Sequence, residues 1–326
     1  MAKSIVSLFL FSFLTLYSQN NVGEIERLDP ALELLIPKNA SLEILASGFS
    51  WAEGPVWVPH LNGVIFTDVP QNTAYLWTEK DGLSVFLKPS GMTNHAPHSA
   101  NQGANGLALN AQGDLILCQH GDRRIARLKE WGFKQAEFET LVDHYKGKWL
   151  NSPNDLVFTA KGDLFFTDPP YGLKKQDRDS LKELSFNGIY KWSQTSGLTL
   201  LDKTLSRPNG IAFSTDEKTV YVGNSDVTNS IIAAFDLVNG KLTNRRVFFD
   251  ANNLSRKGPG LFDGLKVHSS GVLFATGPGG VLVIDSEGKH LGTLRPGKAT
   301  ANCGFDADEK YLYLTASNML MRIKLK

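Results

Sequence analysis

The chain has 326 residues, of which 42% are hydrophobic and 21% charged, so it can bury a large core and is not a disordered protein. Lysine and arginine together number 34, against 33 acidic residues, and no long basic run occurs. This balance argues against nucleic acid and anionic membrane surfaces as binding partners.

The first predicted element is a secretory signal peptide over residues 1–18. Lys3 precedes an apolar run at residues 5–17, and the small residue Ser18 follows it. A basic start, an apolar run of this length and a small exit residue are typical of such a peptide, and the run is short for a membrane span. A buried helix or strand is the alternative. We expect a cleaved protein that is periplasmic or secreted, with residues 19–40 as an N-terminal leader of one or two helical turns.

A repeat of short apolar strands follows from about residue 48. Six copies share a polar residue, an apolar strand, a polar turn and a second apolar strand, and they start at Glu53, Asn105, Asn154, Asn209, Asp263 and Cys303. The copies lie 40–55 residues apart, and further predicted strands follow each one. A period of this length with about four strands per unit is typical of a β-propeller. The sequence therefore predicts an all-β, six-bladed propeller over residues 41–326.

An additional predicted strand precedes the first copy, at residues 41–47 (SLEILAS). The last copy has only three predicted strands before Lys326. The additional strand can complete that blade and close the ring, which leaves no sheet edge open. An unrelated β-sandwich is the alternative, but six copies in register disfavour it.

The chain contains two cysteines, Cys118 and Cys303, and both lie in or next to predicted apolar strands. A disulfide is allowed outside the cytoplasm, but an unpaired cysteine is a common small core residue. We expect both to be unpaired. No CxxC motif or His/Cys cluster indicates zinc.

The register of the repeat predicts a ring of side chains on the propeller axis, which we call the axial ring. Its predicted members are the residues that begin the six copies, and all of them except Cys303 carry side-chain oxygens. Two carboxylates and three amides suit a hard cation, calcium before zinc. Turn chemistry also favours Asn and Asp here, but it does not explain Glu53. The alternatives are an ion that only ties the blades together and a water-filled channel.

A second ring is predicted where the second strand of each copy ends beside the start of the first. Its members are Asp68, His120, Asp168, Asn224, Gly277 and Ser317. Such groups commonly orient metal ligands or substrate through hydrogen bonds. His120 and Asp168 are also candidates for proton transfer, with a structural hydrogen bond as the alternative for each.

Five motifs, EGPVW, NSPNDLVF, FTDPPYG, RPNGIAF and FDGLKV, resemble those of the gluconolactonase / SMP-30 (regucalcin-like) family of six-bladed propellers, in its bacterial gluconolactonase branch. The resemblance runs from about Ser50 to the C-terminus. It implies one catalytic divalent metal on the axis, usually calcium, with four ligands carried over by motif: Glu53, Asn154, Asn209 and Asp263. Asn105 is expected beside the metal, as a ligand or a substrate contact.

Some features differ from the family or extend it. The vertebrate branch carries an Arg two residues before the Asn that matches Asn154, whereas this chain has Ser152, so substrate contacts of that branch are not carried over. Trp149 could stack on a sugar face or merely cover its blade. Tyr171 is expected to shape the pocket wall, and the loop at residues 91–103 is placed to overhang the mouth.

The residues and the resemblance together predict a metal-dependent hydrolase that opens a sugar lactone such as gluconolactone. The metal, calcium or another divalent cation such as Zn²⁺, Mg²⁺ or Mn²⁺, is expected to polarise the lactone carbonyl. Asp263 is the first candidate for the general base, with Asp168 and His120 behind it. The alternatives are an esterase or organophosphate hydrolase on the same site, a non-catalytic binding propeller and a quinone-dependent sugar dehydrogenase. The sequence predicts neither the natural lactone nor the oligomeric state.

Overall fold

The computed structural model of the protein describes residues 22–98, 100, 102–132, 136–254 and 258–326. The signal peptide predicted at residues 1–18 lies outside these ranges. None of the helices in the part of the chain that the structure describes has the length and hydropathy that a membrane crossing needs.

The described chain consists of short strands in antiparallel sheets, joined by tight turns. Two strands precede the blades, β1 (Glu24–Arg27) and β2 (Glu43–Ser47). The first blade contains β3 (Ala52–Val58), β4 (Gly63–Asp68), β5 (Thr73–Thr78) and β6 (Gly82–Leu87). The second contains β7 (Ala104–Leu109), β8 (Leu115–Gln119), β9 (Arg124–Leu128) and β10 (Phe138–Val142), followed by a small hairpin of β11 (His144–Tyr145) and β12 (Lys148–Trp149).

The remaining four blades repeat this arrangement. The third contains β13 (Leu156–Phe158), β14 (Leu164–Asp168), β15 (Gly188–Ser193) and β16 (Gly197–Asp202). The fourth contains β17 (Pro208–Phe213), β18 (Thr219–Asn224), β19 (Ile231–Val238) and β20 (Lys241–Asp250). The fifth contains β21 (Leu265–Val267), β22 (Leu273–Gly277), β23 (Gly280–Ile284) and β24 (His290–Arg295). The sixth contains β25 (Thr300–Phe305), β26 (Tyr311–Ala316) and β27 (Met319–Lys324).

The six blades form a closed ring. The innermost strands β3, β7, β13, β17, β21 and β25 contact one another in this order, and β25 contacts β3 again. β2 pairs with β27, with Glu43 opposite Arg322 and Ser47 opposite Met319, so a strand from the start of the chain completes the last blade. The predicted six-bladed propeller and its closing strand are therefore confirmed.

The segment before the closing strand contributes more to the fold than the predicted leader of helical turns. β1 pairs with β24 and adds a fifth strand to the fifth blade. A 3-10 helix at Pro30–Leu34 follows, and the Asp29 side chain caps it by accepting the Ala31 N–H at 2.8 Å. Leu32 is fully buried between the fifth and sixth blades. The sequence pattern indicated the helical turn but not the strand.

The core consists of apolar layers between neighbouring blades, because each sheet has two apolar faces that must be buried against another sheet. One layer joins the first two blades through residues such as Ile65 and Leu117, and equivalent layers occupy the other five blade junctions. Cys118 and Cys303 are both buried in such layers and are unpaired. The cysteines thus serve as small core residues.

Three of the inner hairpins, in the second, third and fifth blades, share one turn. In the third blade the Thr159 N–H donates to Asp163 O at 2.9 Å, and Gly162 lies in the turn with φ of 86°. Gly113 and Gly271 occupy the same place in the second and fifth blades, with φ of 83° and 86°. These left-handed conformations favour glycine. The turn chemistry therefore fixes where each second strand begins and where its end returns to the axis.

Candidate active site

A cavity of about 650 Å³ opens at one end of the propeller axis. It lies where the first strands of the blades begin, because side chains at these positions face the axis. Its walls come from the axial ring and from loops of several blades, and they include Trp51, Glu53, Gln102, Asn105, His120, Asn154, Tyr171, Asp177, Arg207, Asn209, Asp226 and Asp263.

The structure brings together the five oxygen-bearing residues predicted for the axial ring. Glu53, Asn105, Asn154 and Asn209 line the cavity and are at most 5% exposed, whereas Asp263 is partly exposed to it. The backbones beneath them are tied across the blades: the Gly106 N–H donates to Asn154 O at 2.8 Å and the Gly210 N–H to Asp263 O at 3.1 Å. A Cβ on Gly210 would lie 2.2 Å from Asp263 O, so glycine permits this close approach.

The sixth member of the axial ring is Asn302, which corrects the prediction of Cys303. Asn302 pairs with Thr315 just as Glu53 pairs with Thr67 in the first blade. The Asn302 side chain hydrogen-bonds the Glu53 carboxylate, which lowers the pKa of Glu53 against the larger effect of burial. Because successive side chains on a strand point to opposite faces, Cys303 points into the apolar layer. The sixth copy of the repeat therefore begins at Asn302, one residue before the predicted Cys303.

An axial charge pair was missed by the sequence analysis. Asp155 follows Asn154 at the position that glycine holds in four other blades, and it is 1% exposed. Its Oδ2 has no hydrogen-bond partner within the described residues, and the Lys266 ammonium lies 3.7 Å from it. The repeat contains a signal for this residue, because Asp155 stands where the close packing of neighbouring first strands favours a small side chain.

The electrostatics of the cavity favour binding of a cation. Burial raises the pKa of Glu53 to about 7, and the negative charge of Asp155 adds to this shift. Burial also raises the pKa of Asp263 well above its usual range, with the Glu53 carboxylate as the next cause. Asn105 Oδ1 and Asn209 Oδ1 are buried acceptors without a partner in the described chain. A bound cation would satisfy these oxygens and relieve the repulsion between the carboxylates.

Asp168 is not among the residues that line the cavity, and its carboxylate binds the backbone just before Asn154. It is fully buried, and its two carboxylate oxygens accept the N–H groups of Asn151 and Ser152, each at 2.8 Å. Asp68 accepts two N–H groups in the same way in the first blade. Burial raises the pKa of Asp168 to about 7, while these backbone bonds act to lower it. The geometry favours the structural alternative for Asp168, and its role in proton transfer stays a prediction.

We expect Asp168→Asn to lower the free energy of unfolding by about 1–3 kcal/mol, because one backbone N–H loses its acceptor. The kcat of the folded variant should stay within about threefold of wild type, since Asp168 does not touch the cavity. Denaturant unfolding and steady-state kinetics check both values, with Asp68→Asn as the matched variant. A stable Asp168→Asn protein with a strongly reduced kcat would restore the proton-transfer role.

His120 and Tyr171 line the cavity as predicted. Burial lowers the pKa of His120 to about 3, so its imidazole is neutral at ordinary pH, and its buried Nε2 has no partner among the described residues. Tyr171 donates its hydroxyl to Ser225 O at 3.3 Å, and burial raises its pKa to about 12. His120 is thus available to accept a hydrogen bond, whereas Tyr171 forms part of the wall.

Trp149 is not among the residues that line the cavity, which favours the predicted alternative that it covers its blade over a substrate contact. It lies in the small hairpin after the second blade, where its backbone N–H donates to Glu183 Oε2 at 3.1 Å. Its ring packs against His144, with centroids 3.9 Å apart. Trp149 therefore covers its blade. From the loop at 91–103, Gln102 lines the cavity, and Ser99 and Asn101 lie outside the described residues.

Two further cavity residues share a position in the repeat that the sequence analysis considered only at Ser152. Trp51 and Arg207 each stand two residues before a member of the axial ring. The Trp51 indole N–H donates to Glu53 Oε1 at 3.3 Å. The Arg207 backbone N–H donates to Asn224 Oδ1 at 2.8 Å. Their side chains thus form the next layer of the cavity, toward the mouth.

Comparison with known proteins agrees with this architecture. Residues 51–318 match the profile of the SMP-30/Gluconolactonase/LRE-like region. The chain is 36% identical over 314 residues to a gluconolactonase of Zymomonas mobilis, which covers 94% of this chain and 87% of the relative. A gluconolactonase structure from Xanthomonas campestris superposes with a TM-score of 0.81 at 30% identity, covering 94% of this chain and 97% of that one.

A more distant neighbour shares the fold alone. Regucalcin from Agrobacterium tumefaciens, described as a calcium-binding protein, superposes with a TM-score of 0.67 at 18% identity, over 87% of this chain and 94% of that one. The match over residues 51–318 spans all six blades and every member of the axial ring. The chain belongs to the SMP-30/gluconolactonase/LRE-like family.

Proposed function

We propose that the protein is a lactonase that hydrolyses sugar lactones such as gluconolactone with the help of a divalent cation on the propeller axis. The observation that carries this proposal is the convergence of the Glu53 and Asp263 carboxylates with the unpartnered Oδ1 atoms of Asn105 and Asn209. The similarity to gluconolactonases supports the substrate class.

The donor set fits a hard cation. Glu53, Asn154, Asn209 and Asp263 would hold the ion through oxygen atoms, with Asn105 beside them. Within the described residues no three His, Cys, Asp or Glu side chains are placed to bind a metal together, so amide oxygens must supply part of the shell. Such a shell suits calcium, and it suits Mg²⁺ or Mn²⁺ better than zinc.

When bound, a divalent cation supplies Lewis-acid polarisation of the lactone carbonyl. The Asp263 carboxylate, partly exposed in the cavity, is placed to accept a proton from the water that attacks this carbonyl. As the ring C–O bond breaks, the same carboxyl group returns the proton to the departing ring oxygen, which becomes a hydroxyl. The neutral imidazole of His120 can accept a hydrogen bond from the water or from a substrate hydroxyl.

We also propose that the enzyme works outside the cytoplasm. The basic start and apolar run of residues 1–18 support export. N-terminal sequencing of the protein recovered from cells checks this proposal: a mature chain that still begins at Met1 would contradict it.

Hydrolysis by the purified enzyme tests the function directly. We expect glucono-δ-lactone to be hydrolysed faster than phenyl acetate or a phosphotriester, and we expect a chelator to abolish the activity until calcium is restored. Because chemical lactone opening is rapid, rates must be compared with an enzyme-free control. A dominant phosphotriester rate would indicate the organophosphate hydrolase, and full activity in chelator would contradict the role of the metal.

A further inference from the structure

The mouth of the cavity carries a cluster of polar side chains that the chemistry above does not use. The guanidinium of Arg207 forms an ion pair with Asp177, and its second terminal nitrogen donates to Gln176 Oε1 at 3.4 Å. Beside it, the Ser206 hydroxyl donates to Asp226 Oδ2 at 2.5 Å. All five side chains line the cavity. They form a continuous set of donors and acceptors, which we call the polar rim.

The polar rim is held in place from both sides. The backbone of Arg207 is bonded to Asn224 Oδ1 and, through its carbonyl, to the Ser225 N–H at 2.9 Å. Asp177 belongs to the insertion that joins β14 to β15, where a 3-10 helix spans Gln176–Arg178. The Arg207 side chain is 23% exposed and its partner 41% exposed. A group fixed in this way, yet reachable from the cavity, can bind a ligand at little cost in side-chain entropy.

Arg207 and Trp51 line the cavity from opposite blades. The two residues occupy the same repeat position in the fourth and first blades, which lie opposite each other in a ring of six. A molecule bound in the cavity can therefore contact an indole from one blade and a guanidinium from another. An aromatic face suits the C–H surface of a sugar, and a guanidinium with a neighbouring carboxylate suits its hydroxyls.

The charges of the lining indicate a neutral ligand. Four carboxylates, those of Glu53, Asp177, Asp226 and Asp263, line the cavity. Among the described lining residues Arg207 is the only one with a permanent positive charge, and it already has Asp177 as its counter-ion. A divalent cation on the axis would offset two of these negative charges and Arg207 a third, so the lining leaves no positive charge for an anionic substrate such as a phosphorylated lactone.

We propose that Arg207, with Asp177, is the specificity-determining residue that recognises the hydroxyl groups of a neutral polyhydroxylated lactone. This inference rests on the proposed lactonase function and adds the residue pair that selects its hydroxylated substrates. The guanidinium donates to hydroxyl oxygens, and the Asp177 carboxylate accepts hydroxyl protons. A lactone without hydroxyls makes neither contact, so it gains nothing from the polar rim.

The test compares two substrates that differ in their hydroxyls, glucono-δ-lactone and δ-valerolactone. For Arg207→Met we expect kcat/KM on glucono-δ-lactone to fall about 10–100-fold, because charge-assisted hydrogen bonds are lost. On δ-valerolactone it should stay within about twofold. Competitive inhibition of δ-valerolactone hydrolysis by D-glucitol should weaken to a similar degree. Arg246→Met is the matched control: it removes an arginine that pairs with Asp236 away from the cavity, and it should change neither rate.

The outcomes of this test separate the role of Arg207 from the lactonase function itself. An equal loss on both lactones, or no loss on either, would overturn the role of Arg207 while leaving the lactonase function intact. A wild-type enzyme that hydrolyses neither lactone would overturn the proposed function and this inference with it. Thermal unfolding of Arg207→Met measured beside wild type shows whether the variant is folded, and Asp177→Asn should give the same change in substrate preference.

Discussion

Asp263→Asn should lower kcat/KM for glucono-δ-lactone by about 10³-fold at saturating calcium, since positioned proton transfer contributes typically 10²–10⁴-fold. The substitution keeps the size and one oxygen of the side chain but removes its charge and its basicity. Asp263 is the ring carboxylate that is partly exposed to the cavity, whereas Glu53 is 2% exposed. We therefore expect Asp263 to act as the base and Glu53 to act only as a ligand of the proposed cation.

Glu53→Gln is the control that separates these two roles. Both variants should bind calcium more weakly than wild type in calorimetry, because each removes one negative charge from the donor set. Only Glu53→Gln should recover most of its kcat when calcium is raised to saturation. Recovery of Asp263→Asn under the same conditions would show that Asp263 is a ligand alone, and His120 would then be the candidate base.

The axial ring was predictable because it depends on the register of the repeat. Strand period and turn residues place one side chain per blade on the axis, and five of the six predicted members occupy those positions. The error at Cys303 has the same origin. Reading the sixth copy one residue late replaces Asn302 by Cys303, whose side chain points to the other face of β25.

The other differences between the sequence predictions and the structure concern tertiary contacts that no local sequence pattern encodes. Whether Asp168 faces the cavity or the backbone depends on how residues 151–152 fold back over it, and Trp149 lies on a hairpin that the repeat does not contain. Arg207 belongs to a recognised motif, RPNGIAF, but its partner Asp177 comes from an insertion in another blade. Such pairs follow from the tertiary fold, so motif and spacing alone do not reveal them.

Lys266→Met should lower the free energy of unfolding by about 1–3 kcal/mol, because removing the partly exposed lysine leaves the buried Asp155 carboxylate without a counter-charge. Asp155 is 1% exposed, its Oδ2 has no hydrogen-bond partner among the described residues, and the Lys266 ammonium lies 3.7 Å away. Met preserves most of the apolar stem of Lys266. Urea unfolding in the presence of chelator measures the loss without a contribution from bound metal.

The double variant Asp155→Asn/Lys266→Met isolates the charge pair from the packing. It should be more stable than Lys266→Met alone, because a neutral amide replaces the stranded carboxylate while Oδ1 still accepts the Leu156 N–H. Lys310→Met removes a lysine from an exposed pair with Asp308 and should leave the unfolding midpoint unchanged. If the stability losses of Asp155→Asn and Lys266→Met were additive in the double variant, Lys266 would not be the counter-charge of Asp155. The third carboxylate near the axis would then need a cation of its own, and calorimetry of the wild type should detect a second bound ion.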